Sequence, residues 1–236
     1  MGEANLSEIS ARGWIAQLPE EDRERILGRF LHRSADRGIV LYRVGDEPDG
    51  LYYLASGCIR MDTVQSDHGP TMLSHFHAGA WLGEVELFSG MPRLTTLTVL
   101  RPSTYLFLPV PTLESLAKER PEIWRALGHL AAEHVALAVA GLDDLTIRAS
   151  DARLAAILLR LCGARVPTDP AGEATELDVT QNELAQMTNL SRSMVGDLLT
   201  EFERKGILDR RYGKLVVRDL PAMQGMLTDG RTDTAT

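Results

Sequence analysis

Cysteine is scarce. The 236 residues hold only Cys58 and Cys162, far apart and outside any CxxC pair. That excludes a disulfide framework, a thiolate zinc site and a cysteine-held iron–sulfur cluster. It also suits a chain kept in a reducing cytoplasm, with both thiols acting as small hydrophobes. No apolar run approaches the ~20 residues of a membrane helix. The opening MGEANLSEIS lacks the basic start and apolar stretch of a secretory leader, so none is expected. A basic surplus is missing too: 33 acidic against 25 basic residues give a net charge of −8. Residues 150–236 carry 11 Lys/Arg against 13 Asp/Glu, so neither half is basic overall, which argues against a broad nucleic-acid surface. No Ser/His/Asp or metal-ligand spacing is present, and Asp143-Asp144 have no matched base, so no enzyme is expected. What remains is ordinary globular material, 44% hydrophobic and 25% charged, enough for one large domain or two small ones.

The chain changes character three times. Residues 6–36 read as helix, with Leu6, Ile9, Trp14, Ile15, Leu18, Ile26, Leu27, Phe30 and Leu31 at helical spacings and a fresh start at Pro19. From 38 to 110, short apolar runs alternate with turn signals such as GDEPDG, SG, HAG, SGMPR and RPS, which predicts an all-β barrel or jelly roll. Helix returns over 112–147. There, Trp124, Gly128, Ala131, Val135, Ala138, Leu142 and Leu145 recur at steps of four and three with no charge among them. That stripe suits a two-stranded coiled coil, while Ile123, Leu127, Leu130 and Leu137 form a second stripe for the helix's own barrel. Residues 151–162 form another apolar helix, 163–176 a loop, and the polar stretch beyond about 226 a frayed tail.

The strongest local signal lies in DVTQNELAQMTNLSRSMVGDLLTEFERKGIL. Thr180 and Glu183 make a capping box, Thr188-Asn189-Leu190 a tight connection, and Ser191 a second helix cap. This is the pattern of a helix-turn-helix, whose second helix offers its first turn to the DNA major groove. DRRYGKLVVRDL then reads as two strands around Tyr212-Gly213, a wing. Residues 204–218 hold Arg204, Lys205, Arg210, Arg211, Lys214 and Arg218 against Asp209, a local footprint for phosphates. A capped helical hairpin that binds nothing shares the same local pattern.

Taken together, GDEPDGLYYLASGCIRM, LGEVELFSGMPRLTT and ELAQMTNLSRSMVGDLL, in that order, resemble the cyclic-AMP receptor protein / fumarate-nitrate regulator (CRP/FNR) family of bacterial transcription factors over about residues 15–220. The resemblance implies an α+β chain: an N-terminal β-roll sensor (1–120), a dimerisation helix (121–149), a C-terminal winged helix-turn-helix (150–226) and a tail (227–236). It implies base contacts from Ser191, Arg192, Ser193 and Asp197, and backbone contacts from Thr180 and Gln181. Arg210, Arg211 and Lys214 would supply the wing's charge. Arg192 is suited to a bidentate contact with guanine. Ser193 and Asp197 replace the family's common glutamate and arginine, so a different half-site is expected.

A Gly-flanked turn exposing backbone N–H groups, with an arginine nearby, can cradle an anion. The resemblance gives these roles to Gly83, Glu84 and Arg93, flanked by Val85, Leu94 and Thr95, for a cyclic nucleotide's phosphate and ribose. Three departures stand out. Leu94 follows the arginine where a small residue is usual. Glu86 brings an extra negative charge; facing a phosphate at ~4 Å, it would cost on the order of 4 kcal/mol, unless the side chain points away. Ala138 and Val139 occupy the positions that contact adenine from the long helix, and neither side chain can hydrogen-bond. Cyclic AMP, cyclic GMP, another effector and an empty pocket all stay open. His75 and His77 share one strand face but lack further ligands for haem or a metal, and none is expected.

The expected function is a homodimeric, sequence-specific DNA-binding regulator. Its effector would shift the packing of the paired long helices, a full switch needing ~5.5 kcal/mol of differential binding. The dimer would rest on Trp124, Ala131, Val135, Ala138, Leu142 and Leu145, and activation would add a surface for RNA polymerase. The alternative is a small-ligand receptor acting through a protein partner without DNA.

Overall fold

The computed structural model describes residue 9 and residues 13–64, 70–165, 176–211 and 214–229. Leu6, the 166–175 stretch of the expected loop, the Tyr212-Gly213 turn and residues 230–236 of the expected tail lie outside them. The chain divides into two compact units: residues 1–70 with 75–135, and residues 71–74 with 136–236. Among the described residues, no helix is long and apolar enough to cross a membrane.

In the first unit, a 3₁₀ turn (Trp14–Gln17) precedes α1 (Glu20–Leu27), which opens after Pro19 with Glu20, Glu21 and Asp22 at its positive end. The helix expected to reach 36 stops at Gly28, and Leu31–Ala35 is instead strand β1. Four of its five residues are exposed, so it carries no inside–outside alternation that would mark it as a strand.

Strands β2 (Val40–Tyr42), β3 (Gly50–Val64), β4 (Pro70–His77), β5 (Trp81–Leu82) and β6 (Thr96–Pro109) complete an antiparallel roll, with the short helix α2 (Val85–Ser89) between β5 and β6. Its order is β1-β6-β3-β4, with β2 on β6 and β5 on β3. The SG and RPS signals are not turns. They lie inside β3 and β6, where the register shifts between Leu54 and Ile59. Gly57 (φ 97°) is required there, because a Cβ would fall 2.1 Å from Ser103 Oγ.

Tyr42, Tyr52, Leu54, Ile59, Leu97, Val99 and Phe107 fill the roll. A second cluster packs Trp14, Ile26, Trp81 and Leu108 against α3 (Val110–Glu119) and the start of α4 (Glu122–Thr146). Ile123, Leu127 and Leu130 of α4 are buried in this cluster, as expected of the inner stripe, whereas Leu137 is only half-buried and falls in the second unit.

The second unit holds the end of α4, then α5 (Ser150–Leu161), β7 (Glu176–Leu177), α6 (Gln181–Thr188), α7 (Arg192–Arg204), β8 (Leu208–Arg211), β9 (Lys214–Val217) and α8 (Leu220–Asp229). β7 pairs with β9 and β9 with β8, with Arg211 opposite Lys214. Leu154, Leu158, Leu184, Val195, Leu199, Phe202, Leu215 and Met223 make one core. Asp144, fully buried at the end of α4, accepts from Arg165 Nε at 2.7 Å and faces Arg160 Nε at 3.5 Å.

Two elements depart from the expected loop and tail. β7 is two residues long, too short for a pattern. α8 reaches Asp229, three residues into the expected tail. Its signals were Asp219, whose Oδ1 accepts from Ala222 N at 2.8 Å, followed by Pro221 and by Leu220 and Met223 at helical spacing.

Candidate DNA-recognition helix and effector cassette

α6 begins with a complete capping box. Glu183 N donates to Thr180 Oγ1 at 3.2 Å, and Thr180 N donates to Glu183 Oε2 at 2.8 Å. The helix ends at Asn189, whose left-handed backbone (φ 52°) turns the chain. Ser191 Oγ then accepts from Met194 N at 3.2 Å and caps α7. These local bonds point one face of α7 inward through Val195, Leu199 and Phe202. The first turn, with Arg192, Ser193 and Met194, is exposed, as are Asp197 and Thr200. Among the described residues, Arg192 and Asp197 have no side-chain hydrogen bond or ion pair, and Gln181 is half-buried beside Gly196.

The wing is less basic than its sequence. Arg218 pairs with Asp209 (2.6 Å), Lys205 with Glu201 (2.7 Å) and Lys214 with Glu176. The last two carboxylates come from outside the basic segment or from α7. Arg210 Nη1 donates to Thr200 Oγ1 at 2.8 Å, which holds it beside α7, and Arg211 is exposed.

In the first unit, Gly83 (φ 91°) leads through Glu84 into the short helix α2 (Val85–Ser89), which precedes Arg93.

 Arg93 is buried, its side chain wholly so. Its Nη1 donates to the Gly83 carbonyl (2.9 Å) and to Glu86 Oε2 (3.1 Å), and its Nη2 to Asp49 Oδ1 (2.7 Å) and the Gly50 carbonyl (2.8 Å). The guanidinium also lies over the Tyr42 ring, 4.1 Å from its centroid. Burial works against the charge, but the Asp49 hydrogen bond and the neighbouring Tyr42, Glu86 and Asp49 outweigh it and raise the Arg93 pKa. Burial likewise raises the Tyr42 hydroxyl.

Glu86 Oε1 accepts from Leu94 N at 3.0 Å, so Glu86 points inward and does not turn away. Glu84 is buried as well, with Oε1 2.6 Å from His134 Nδ1 on α4. Val85 and Leu94 are exposed and Thr95 is half-buried. Ala138 and Val139 are exposed on the second unit's part of α4. Trp124, expected in the dimer stripe, packs edge-on against Phe88 of its own roll at 5.5 Å. Val135, Leu142 and Leu145 of that stripe are exposed. Asp49 and His134 are cassette residues without a signal in the sequence: each lies more than 40 positions from its partner, and no local spacing marks such a contact.

The His134–Glu84 pair makes stability depend on pH. Burial disfavours the imidazolium, but the hydrogen bond to Glu84 and the charges of Glu84 and Glu133 prevail and raise the His134 pKa. The stabilisation is therefore complete below the unfolded value of ~6.5 and is lost as pH rises through the higher folded value. Melting curves between pH ~6 and ~9 should show this alkaline loss in the wild type and a flatter profile in His134→Gln. Identical profiles would remove the pair from the account of stability.

A β-roll with a Gly-flanked cassette and a winged helix-turn-helix define a sensor joined to a DNA-reading head. Comparison with known proteins agrees. The cyclic nucleotide-binding domain family matches residues 32–120, and the Crp-like helix-turn-helix domain family matches residues 152–226. The CRP-like protein Clp of Xanthomonas euvesicatoria pv. vesicatoria is 30% identical over 210 residues, covering 82% of this chain and 86% of the relative. The CRP-like cAMP-activated global transcriptional regulator of Mycobacterium tuberculosis is 28% identical over 214 residues, covering 90% and 95%. In fold, FixK2 from Bradyrhizobium japonicum matches with a TM-score of 0.70 at 17% identity, over 84% of this chain and 96% of that one. The chain belongs to the CRP-like family of helix-turn-helix transcriptional regulators. Its family is one of transcription regulators.

Proposed function

We propose that this regulator is a homodimer that reads DNA with two α7 helices, one from each protomer, and works in the cytoplasm. The observation that carries the reading is the exposed first turn of α7. It is fixed by the Thr180 and Ser191 caps and presents Arg192 with no partner among the described residues. Arg192, Ser193 and Asp197 would face base edges, and Gln181 the backbone. Thr180 and Ser191 would act chiefly by fixing the helix starts. Arg210 and Arg211 would supply phosphate contacts, whereas Lys214 must first leave Glu176. Half-sites would lie about one helical turn apart, ~34 Å.

The dimer would form through the exposed stripe of α4 around Val135, Leu142 and Leu145, with Ala131 and Ala138 at its close approaches. Val139, apolar and exposed, goes with this stripe. The roll would be the sensory unit, with Gly83, Glu84, Val85, Arg93, Leu94 and Thr95 forming the cassette through which a small effector acts.

The test is equilibrium binding to promoter DNA across a salt series. Arg192→Ala should weaken specific binding by roughly 5- to 150-fold, about 1–3 kcal/mol, and relax the preference at one base pair. Arg211→Ala should weaken all sequences alike and reduce the salt slope by ~1. A wild-type protein that binds no DNA, or an Arg192→Ala variant that binds unchanged, would favour the receptor acting through a protein partner.

A further inference from the structure

The ligand of the sensory unit can be narrowed further, on the reading that the roll is a sensor. A cyclic nucleotide brings one phosphate anion into a domain of the matched kind, and that anion needs a cation. Among the described residues, Arg93 is the sole Lys or Arg that is buried in the roll. Each terminal nitrogen of a guanidinium carries two hydrogens, and all four of these already have acceptors: the Gly83 and Gly50 carbonyls, Glu86 and Asp49. Two carboxylates on one cation exceed its charge. A phosphate would be the third anion, and the one N–H left without an acceptor, on Nε, is itself buried.

The two carboxylates differ in freedom. The Asp49 side chain is 47% exposed and can turn into water. The Glu86 side chain is 5% exposed, and its second oxygen is held by Leu94 N. The neighbouring Glu84 is occupied as well, by His134 at 2.6 Å.

We infer that Glu86 is the specificity-determining residue of this roll: with Asp49 it occupies the anion position on Arg93, and the cassette thereby refuses cyclic mononucleotides. The effector is then a molecule that does not need this guanidinium. The inference sets the chain apart from its M. tuberculosis relative, which is described as cAMP-activated.

The experiment is calorimetric titration of the full chain with cyclic AMP and cyclic GMP. Wild type should show no binding tighter than ~1 mM. Glu86→Ala should bind at least one of the two nucleotides roughly 100-fold more tightly than wild type, because it removes the charge and opens the space. Glu86→Gln preserves the shape and still occupies Arg93, so its gain should be smaller, roughly 5-fold or more. Melting curves establish that each variant is folded; should Glu86→Ala fail to fold, Glu86→Gln carries the test. Wild-type binding of either nucleotide tighter than ~1 mM would overturn the inference, as would a folded variant with no gain for either nucleotide. Gel shifts on the same samples keep the two readings apart. A failed titration leaves DNA binding untouched, and a wild type that ignores DNA says nothing against the role of Glu86.

Discussion

Leu142→Asp should turn the protein into a monomer in sedimentation experiments and lower its DNA affinity by roughly 10²- to 10⁴-fold, the range lost when two linked binding heads become independent. Leu142 is 67% exposed on α4 and Val135 is 62% exposed, so neither supports the fold of its own protomer. An exposed row of large apolar side chains marks an interaction surface. Full burial of a Leu or Val stabilises by about 1.5–3 kcal/mol, and the stripe is repeated on the partner. A buried aspartate reverses that gain and adds a large desolvation cost. The melting temperature of the isolated protomer should change little. Val135→Asp, on the same stripe and seven positions earlier, should give the same result. A dimer that persists in both variants would show that α4 is not the interface.

Arg93→Ala should lower the melting temperature by roughly 6–20 °C. Removing one partner of a buried ion pair costs about 3–5 kcal/mol, and each kcal/mol shifts a protein of this size by about 2–4 °C. The cause is the charge left behind: Glu86 stays buried without its cation, and the Gly83 and Gly50 carbonyls lose their donor. Arg93→Lys should recover part of the loss, since a single ammonium cannot span four acceptors and the Tyr42 face at once. An Arg93→Ala protein that melts with the wild type would contradict a structural role for this buried guanidinium. It would leave Arg93 as a residue waiting for a ligand.

Much of the DNA-reading head was legible in the sequence because its determinants are local. Thr180 and Glu183 are three residues apart, and Ser191 reaches Met194 over the same distance. The long helix was legible through its two stripes. The roll was legible as a class and misread in detail. SG and RPS mark turns elsewhere, but here they face each other across β3 and β6 and serve as bulges in two long strands. β1 has no strand signature because an exposed edge strand lacks alternation. The state of the cassette was illegible for another reason. Asp49 meets Arg93 across 44 positions and Glu84 meets His134 across 50, and only the fold decides such pairs. Composition misled in the wing as well, where Glu176 and Glu201 neutralise cations that a count over 204–218 treats as free.

The central claim is that two α7 helices of one dimer read one duplex. Selection of bound sites from random double-stranded DNA by the full chain tests it most directly. The expected result is an enriched two-fold symmetric motif whose half-sites are centred ~10–10.5 base pairs apart, and it should disappear when Leu142→Asp replaces the wild type. Recovery of no motif, or of one unrepeated half-site bound equally well by the monomeric variant, would contradict it.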